Sequence, residues 1–173
     1  PQENKCCIVN TKANGFINKT VTFLGRSAHA GNAPHDGINA LNMAQLALNN
    51  INAQRETFKD QDKVRVSAII TQGGYIVNAI PAKVTMEVMV RAASLDAMMD
   101  ASEKVNRSFH AAALAMGGEV LIKDSIGYLP LDSDHQLDQV FADNLIAELG
   151  GKEDQLIYNM AVAGSTDLGD MSQ

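Results

Sequence analysis

The hydrophobic positions of this chain change their period several times, and each change marks an element. In Lys19–Gly25, Val21 and Phe23 alternate with Thr20 and Thr22, the two-residue period of a strand with one covered face. The spacing then lengthens. Ile38, Leu41, Gln45, Leu48 and Ile51 fall at helical intervals, Ala44 and Ala47 fill the stripe, and Asp36 is the expected N-cap. A polar link, QRETFKDQD, ends that helix. Alternation returns in Lys63–Thr71, where Val64, Val66, Ala68 and Ile70 share a face. It returns again in Ala82–Arg91, with Val84, Met86, Val88 and Val90 on one side and Lys83, Thr85, Glu87, Met89 and Arg91 on the other. Between these strands, Gly73 and Gly74 supply backbone freedom for a turn. Leu95, Met99, Ser102, Val105, Phe109, Ala112 and Met116 trace a long helix that Gly117-Gly118 stops, and Glu119–Pro130 reads as a fourth strand.

The order β-α-β-β-α-β predicts an α+β, ferredoxin-like unit over residues 18–129, a four-stranded antiparallel sheet with both helices on one face. Past Pro130 the pattern is different. DSDHQLDQVFADNLIAELGG predicts a separate amphipathic helix carrying Leu137, Val140, Phe141, Leu145 and Leu149, capped at Ser133 or Asp134. LIYNMAVAGSTDLGD reads as a strand breaking into a turn. Residues 130–173, and residues 1–17 before the first strand, are surplus to a complete ferredoxin-like unit and are expected to belong to another domain.

Composition narrows the partners. The 173 residues are 46% hydrophobic and 20% charged, a globular balance, and the formal charge of −6 comes without a basic stripe. Nucleic acid is therefore not the expected partner. No apolar run approaches the ~20 residues of a membrane-spanning helix, and the N-terminus lacks the pattern of a secretory signal, so a cytoplasmic protein is expected. Cys6 and Cys7 are adjacent, unsuited to a mutual bridge and unlike any zinc spacing, which predicts two reduced thiols. The chain starts on Pro1 and stops on a turn-rich segment, so it is expected to be an internal piece of something longer.

Several side chains could carry chemistry. His29 lies in GRSAHAGNAP, where Ser27, Ala28, Ala30 and Gly31 leave its imidazole uncrowded just past a strand end. His35 reads as a surface residue near a helix start, and His110 as a helix residue whose charge suits the dipole. Asp132, Asp134, His135 and Asp138 resemble a metal cluster, but the calcium-loop template wants glycine and glutamate where Leu137 and Asp143 stand. Acidic residues at a helix N-terminus explain the group better. Arg91 ends a rigid strand on the face away from the apolar stripe, where its planar fork suits a carboxylate. Asn78 lies in the glycine-rich connection. Ser165, in GSTDLG, has no histidine or lysine nearby in sequence and no nucleophile elbow, which excludes a serine hydrolase of that type.

Taken in order, GRSAHAGNAPHDGINAL, GGYIVNAIPAKVTMEVMVR and MAVAGSTDLGDMS resemble the zinc-dependent amidohydrolases of the aminoacylase and glutamate carboxypeptidase family, in the branch of aminobenzoyl-glutamate and indole-acetyl-amino-acid hydrolases. That resemblance implies a two-metal catalytic domain into which a ferredoxin-like lid is inserted, the lid mediating homodimerisation. It implies that His29 reaches across the dimer to polarise the scissile carbonyl of an N-acyl amino acid or peptide. It also implies that Asn78 and Arg91 bind the substrate's carboxylate, and that Gly164, Ser165 and Thr166 line the cleft. The zinc ligands of the family are absent from these residues, so no metal and no hydrolysis are expected of this chain alone. A stand-alone small-molecule-binding module and a purely structural dimerisation domain are the competing expectations.

Overall fold

The computed structural model describes residues 7–148, 156–158, 160–162 and 164–172. Two short strands come first, β1 (Cys7–Val9) and β2 (Lys12–Ala13). The long strand β3 (Gly15–Leu24) follows, then helix α1 (Ala40–Gln54), β4 (Arg65–Gln72), β5 (Lys83–Ala92), α2 (Leu95–Met116) and β6 (Glu119–Ile126). Helix α3 (His135–Glu148), β7 (Leu156–Tyr158), β8 (Ala161–Val162) and the short α4 (Leu168–Met171) complete the described chain.

Strands β3 to β6 form one antiparallel sheet in the order β4-β5-β3-β6, the ferredoxin-like arrangement that the sequence pattern predicts. Val84, Met86, Val88 and Val90 of β5 are buried under the helices, as are Val21 and Phe23 of β3. Arg91 takes the opposite, uncovered face. Phe23 meets Phe109 of α2 edge-on with centroids 6.3 Å apart. Burying each such aromatic side chain contributes about 1.5–3 kcal/mol. Ser94 caps α2 by accepting the Ala97 N–H at 3.3 Å, and Gly117, at φ 70°, closes it in the left-handed conformation.

Several details depart from the pattern, among them Leu95 and Met99 of α2, which are exposed. Asp36 does not cap α1: it sits in a single 3-10 turn, Pro34–Asp36, and the Asn39 side chain accepts the N–H groups of Leu41 and Asn42 instead. The helix therefore starts later, and its buried face is Ala40, Met43, Ala44, Ala47 and Ile51, with Gln45 exposed. Lys19 reads as a polar position, yet strand alternation puts it on the helix side with Ile17 and Val21, and it is 1% exposed. Its Nζ donates to Ser102 Oγ at 2.7 Å and to both carboxylate oxygens of Asp124 at 3.0 and 2.9 Å. A buried ammonium persists because those three acceptors replace its water.

The remaining segments form a second, smaller unit. β1 pairs with β7 and β2 with β8, both in parallel, and Ala142, Leu145 and Ile146 of α3 pack against Val9 and Leu156. The apolar stripe expected to bury α3 divides: Leu145 packs inward, whereas Leu137, Val140 and Phe141 are exposed. The helix rotates so that Ala142 can approach the strand pair closely, which turns the other three outward. Leu149 lies outside the described residues, as does Cys6. Parallel strands are a mark of α/β domains covered on both faces. The four-stranded sheet is thus inserted between β2 and α3 of a unit with a different architecture, since a single residue separates β2 from β3 and Leu131 returns to bridge Ala13.

Candidate functional site

The chain between β3 and α1 is a closed loop. Arg26 and Ile38 exchange backbone hydrogen bonds of 2.9 Å in both directions, pinching residues 27–37 at their base. Gly25, just below the pinch, lies so close to the Ile38 carbonyl that a Cβ there would meet its oxygen. The loop is tied on its far side as well. Ala30 N–H donates to the Asn78 carbonyl at 2.9 Å, Ile80 N–H donates to the Ala28 carbonyl at 2.9 Å, and His29 bridges Ala79. His29 and Asn78, 49 positions apart in sequence, are brought together here, both exposed.

The His29 ring has a defined polarity. Its Nδ1 accepts the backbone N–H groups of Gly31 at 3.2 Å and Asn32 at 3.1 Å. Two donors aimed at Nδ1 assign the ring proton to Nε2 in the neutral imidazole, so the exposed end of the ring presents an N–H donor. That is the group needed to bind an oxygen acquiring negative charge.

Arg91 lies elsewhere. In register, Leu24 pairs with Lys83 next to the His29 loop, whereas Phe16 pairs with Arg91 and Gly15 with Ala92. Eight residues of strand separate Lys83 from Arg91, roughly 26 Å at ~3.3 Å per residue. Arg91 stands 5.8 Å above the Phe16 ring, and that ring meets Tyr128 edge-on at 5.5 Å. Its Nε donates to Met89 Sδ at 3.1 Å. On the open face it helps line a shallow depression of about 640 Å³ with Asn18, Ser67, Ile69 and Glu87. Arg65 of β4 lies directly opposite Arg91 in the ladder, a pairing of like charges that is unfavourable by itself. Sequence reading passed over Arg65 and Phe16; only strand register puts them beside Arg91.

The Gly164–Thr166 turn is at this same end. Asn14, the residue before β3, donates its N–H to the Gly164 carbonyl at 3.0 Å. Ser165 Oγ is buried and, among the described residues, has no hydrogen-bond partner. Thr166 Oγ1 accepts the Leu168 N–H at 3.4 Å, and Asp170 ties the turn to the sheet unit by accepting the Leu129 N–H at 2.8 Å. The acidic cluster resolves into a helix start: Asp134 Oδ1 accepts the N–H groups of Gln136 at 2.7 Å and Leu137 at 3.1 Å. Those bonds, that of Leu137 foremost, hold its carboxyl below the ordinary aspartate value. Among the described residues no three His, Cys, Asp or Glu side chains are placed to hold a metal ion. Nor is any described helix long and apolar enough to cross a membrane.

Residues 11–116 match the peptidase dimerisation domain of the M20 family. The chain belongs to that family. The matched segment runs from just before β2 to the last residue of α2, so it takes in the His29 loop, Asn78 and Arg91 but not β6 or the Gly164 turn. The M20 chain is 32% identical over 157 residues to an Xaa-Arg dipeptidase of Mus musculus, an alignment covering 88% of this chain and 35% of that protein. Against an Xaa-Arg dipeptidase of Homo sapiens the identity is 38% over 104 residues, 60% of this chain and 23% of the relative. The chain therefore spans well under half the length of these curated relatives. Aminobenzoyl-glutamate utilization protein from Klebsiella pneumoniae shares the fold with a TM-score of 0.74 at 20% identity, over 94% of this chain and 42% of that structure.

Proposed function

We propose that this chain is the lid of a zinc-dependent amidohydrolase or peptidase, and that the segments before β3 and after residue 129 belong to its catalytic domain. The substrate is an N-acyl amino acid or peptide, cleaved at the amide bond. The metal belongs to segments outside these residues, so the chain by itself is inactive. It works as a cytoplasmic homodimer. Support comes from the family match, from the dipeptidase relatives, and from the insertion of the antiparallel sheet into a parallel strand unit, which a stand-alone binding module does not explain.

The observation that carries the roles is the separation of two groups along β5. His29 and Asn78 sit at the tip of the sheet, away from the flanking unit; Arg91, with Ser165 and Thr166, sits at its root. A substrate of dipeptide size cannot touch both ends of one lid. One molecule meets His29, Asn78 and Arg91 together only when the tip comes from one subunit and the root from the other. In that arrangement Arg91 grips the carboxylate through its fork, and His29 Nε2–H donates to the carbonyl oxygen as it becomes an oxyanion. Asn78 adds a donor beside His29.

The dimer needs an edge, and β4 is the more open of the two. Its run from Ser67 to Gln72 is uncharged with Ile69 exposed, whereas β6 carries Glu119, Lys123 and Asp124, the charges that guard an edge against pairing. The test is complementation in the hydrolase that carries this chain. His29→Ala and Arg91→Ala are each inactivated, and a mixed dimer regains one complete site, with Arg91 from one subunit and His29 from the other. If mixing restores nothing, tip and root do not serve one site from two subunits.

A further inference from the structure

The tip of the lid carries an apolar feature that the roles above do not use. After Gly73 and Gly74 the chain presents Tyr75, Ile76 and Val77 in succession, 86%, 62% and 100% exposed. Single exposed apolar residues are ordinary on protein surfaces; three in a row at a loop tip are a recognition feature. They do not stand alone. With Leu41, Ile80 and Pro81 they surround a shallow hollow of about 460 Å³, within the size range of small-molecule sites. No charged side chain lines it. Gly73 and Gly74 are part of its lining.

The position of the hollow fixes what it takes. Ala30, next to His29, forms its rim, and Asn78 directly follows Val77 while its carbonyl holds the Ala30 N–H. In an N-acyl amino acid the carboxylate lies on the amine side of the scissile carbonyl and the acyl group on the other. With the carboxylate at an Arg91 and the carbonyl oxygen at His29, the acyl group extends onto the surface next to His29 on the side away from that arginine. We propose that the Tyr75–Pro81 hollow is the acyl subsite, selecting an uncharged aromatic or branched acyl group over a small one. This rests on the reading of His29 given above.

Two measurements test it. In the first, the isotope-labelled chain is titrated with benzamide, a neutral aromatic amide, and with acetamide. Benzamide shifts the backbone amide signals of Ala30 and Gly73–Asn78 saturably, acetamide at equal concentration does not, and Val77→Asp abolishes the response. Because Val77 is fully exposed, this substitution leaves the fold intact. Absence of a saturable shift overturns the proposal. The second compares kcat/KM for the N-benzoyl and N-acetyl derivatives of one amino acid in the intact hydrolase. Val77→Asp lowers the benzoyl-to-acetyl ratio at least about tenfold, the scale on which apolar pockets discriminate. His29→Ala lowers both rates and keeps the ratio. Equal loss on both substrates in Val77→Asp, or dissociation of the dimer by sedimentation, would mark the three side chains as a contact between copies and overturn the subsite. If only the His29 effect fails, the role of His29 is wrong while the titration still decides the hollow.

Discussion

The tip and the root of the inserted sheet are built on different principles. At the tip, His29 and Asn78 hang on loops held by backbone hydrogen bonds, and the adjoining hollow has no charged side chain in its lining. At the root, Arg91 stands on a strand, backed by an aromatic ring and faced by a second arginine. Loops tied at both ends can still project a side chain away from their own domain, which suits a donor meant for another subunit. A strand end fixes a guanidinium where it already is, at the end of the sheet where Asn14 bonds Gly164 of the same chain. On the function proposed above, position along one strand decides which subunit a residue serves.

The largest effect is expected at the tip. Losing one oxyanion donor costs about 10²–10³ in turnover, so His29→Ala lowers kcat on that scale at unchanged metal content, read by steady-state kinetics with metal analysis. A variant with normal turnover removes the tip from the chemistry altogether. At the root, Arg91→Lys keeps the charge but loses the fork. A charge-assisted hydrogen bond contributes about 1.5–3 kcal/mol, so KM rises roughly 10- to 100-fold while kcat changes little. The loss shrinks for a substrate whose terminal carboxylate is replaced by an amide. Equal damage to both substrates would instead indicate a folding defect.

Gly25→Ala asks whether the tip depends on its tether. The added methyl meets the Ile38 carbonyl, and overpacking of this kind costs about 1–3 kcal/mol. Thermal unfolding should fall by several degrees, and the backbone signals of residues 26–38 should shift. An unchanged melting temperature would show that the loop base is soft. The smallest effect belongs to the root's neighbour α3. Asp134→Ala removes the acceptor for Gln136 and Leu137, so amide exchange in the first turn of α3 quickens at neutral pH. The carboxyl titrates lower when folded, so its contribution is present above the unfolded value of ~3.9 and fades as pH falls through the lowered one. The difference between variant and parent should therefore vanish in acid; a difference that persists there would assign the protection to something other than the carboxylate.

Much of this fold was legible because strand and helix periods are local. Alternation in Ala82–Arg91 was enough to place four apolar residues under the helices and Arg91 on the open face, and Ser94 with Gly117 bounds α2 by chemistry within a few residues. The family likeness named His29, Asn78 and Arg91 as candidates for binding and catalysis. It grouped Asn78 with Arg91 as carboxylate binders; within one protomer Asn78 lies beside His29, at the other end of β5 from Arg91.

By itself, then, the sequence determined the four strands of the antiparallel sheet and the long helices, which face of β3 and β5 is apolar, and the α+β order, since these follow from spacing over a few residues. Only the tertiary structure decided the rest. Lys19 could enter the core because Ser102 and Asp124, 83 and 105 positions away, converge on its ammonium. Asn39 replaced Asp36 as the cap of α1 because the preceding loop is pinned to Arg26, and α3 turned Leu137, Val140 and Phe141 outward to bring Ala142 against the strand pair. His29 and Arg91 were placed at opposite ends because antiparallel register couples Leu24 to Lys83 and Phe16 to Arg91. Each of these is a long-range pairing, and no local period encodes which distant partner an element will meet.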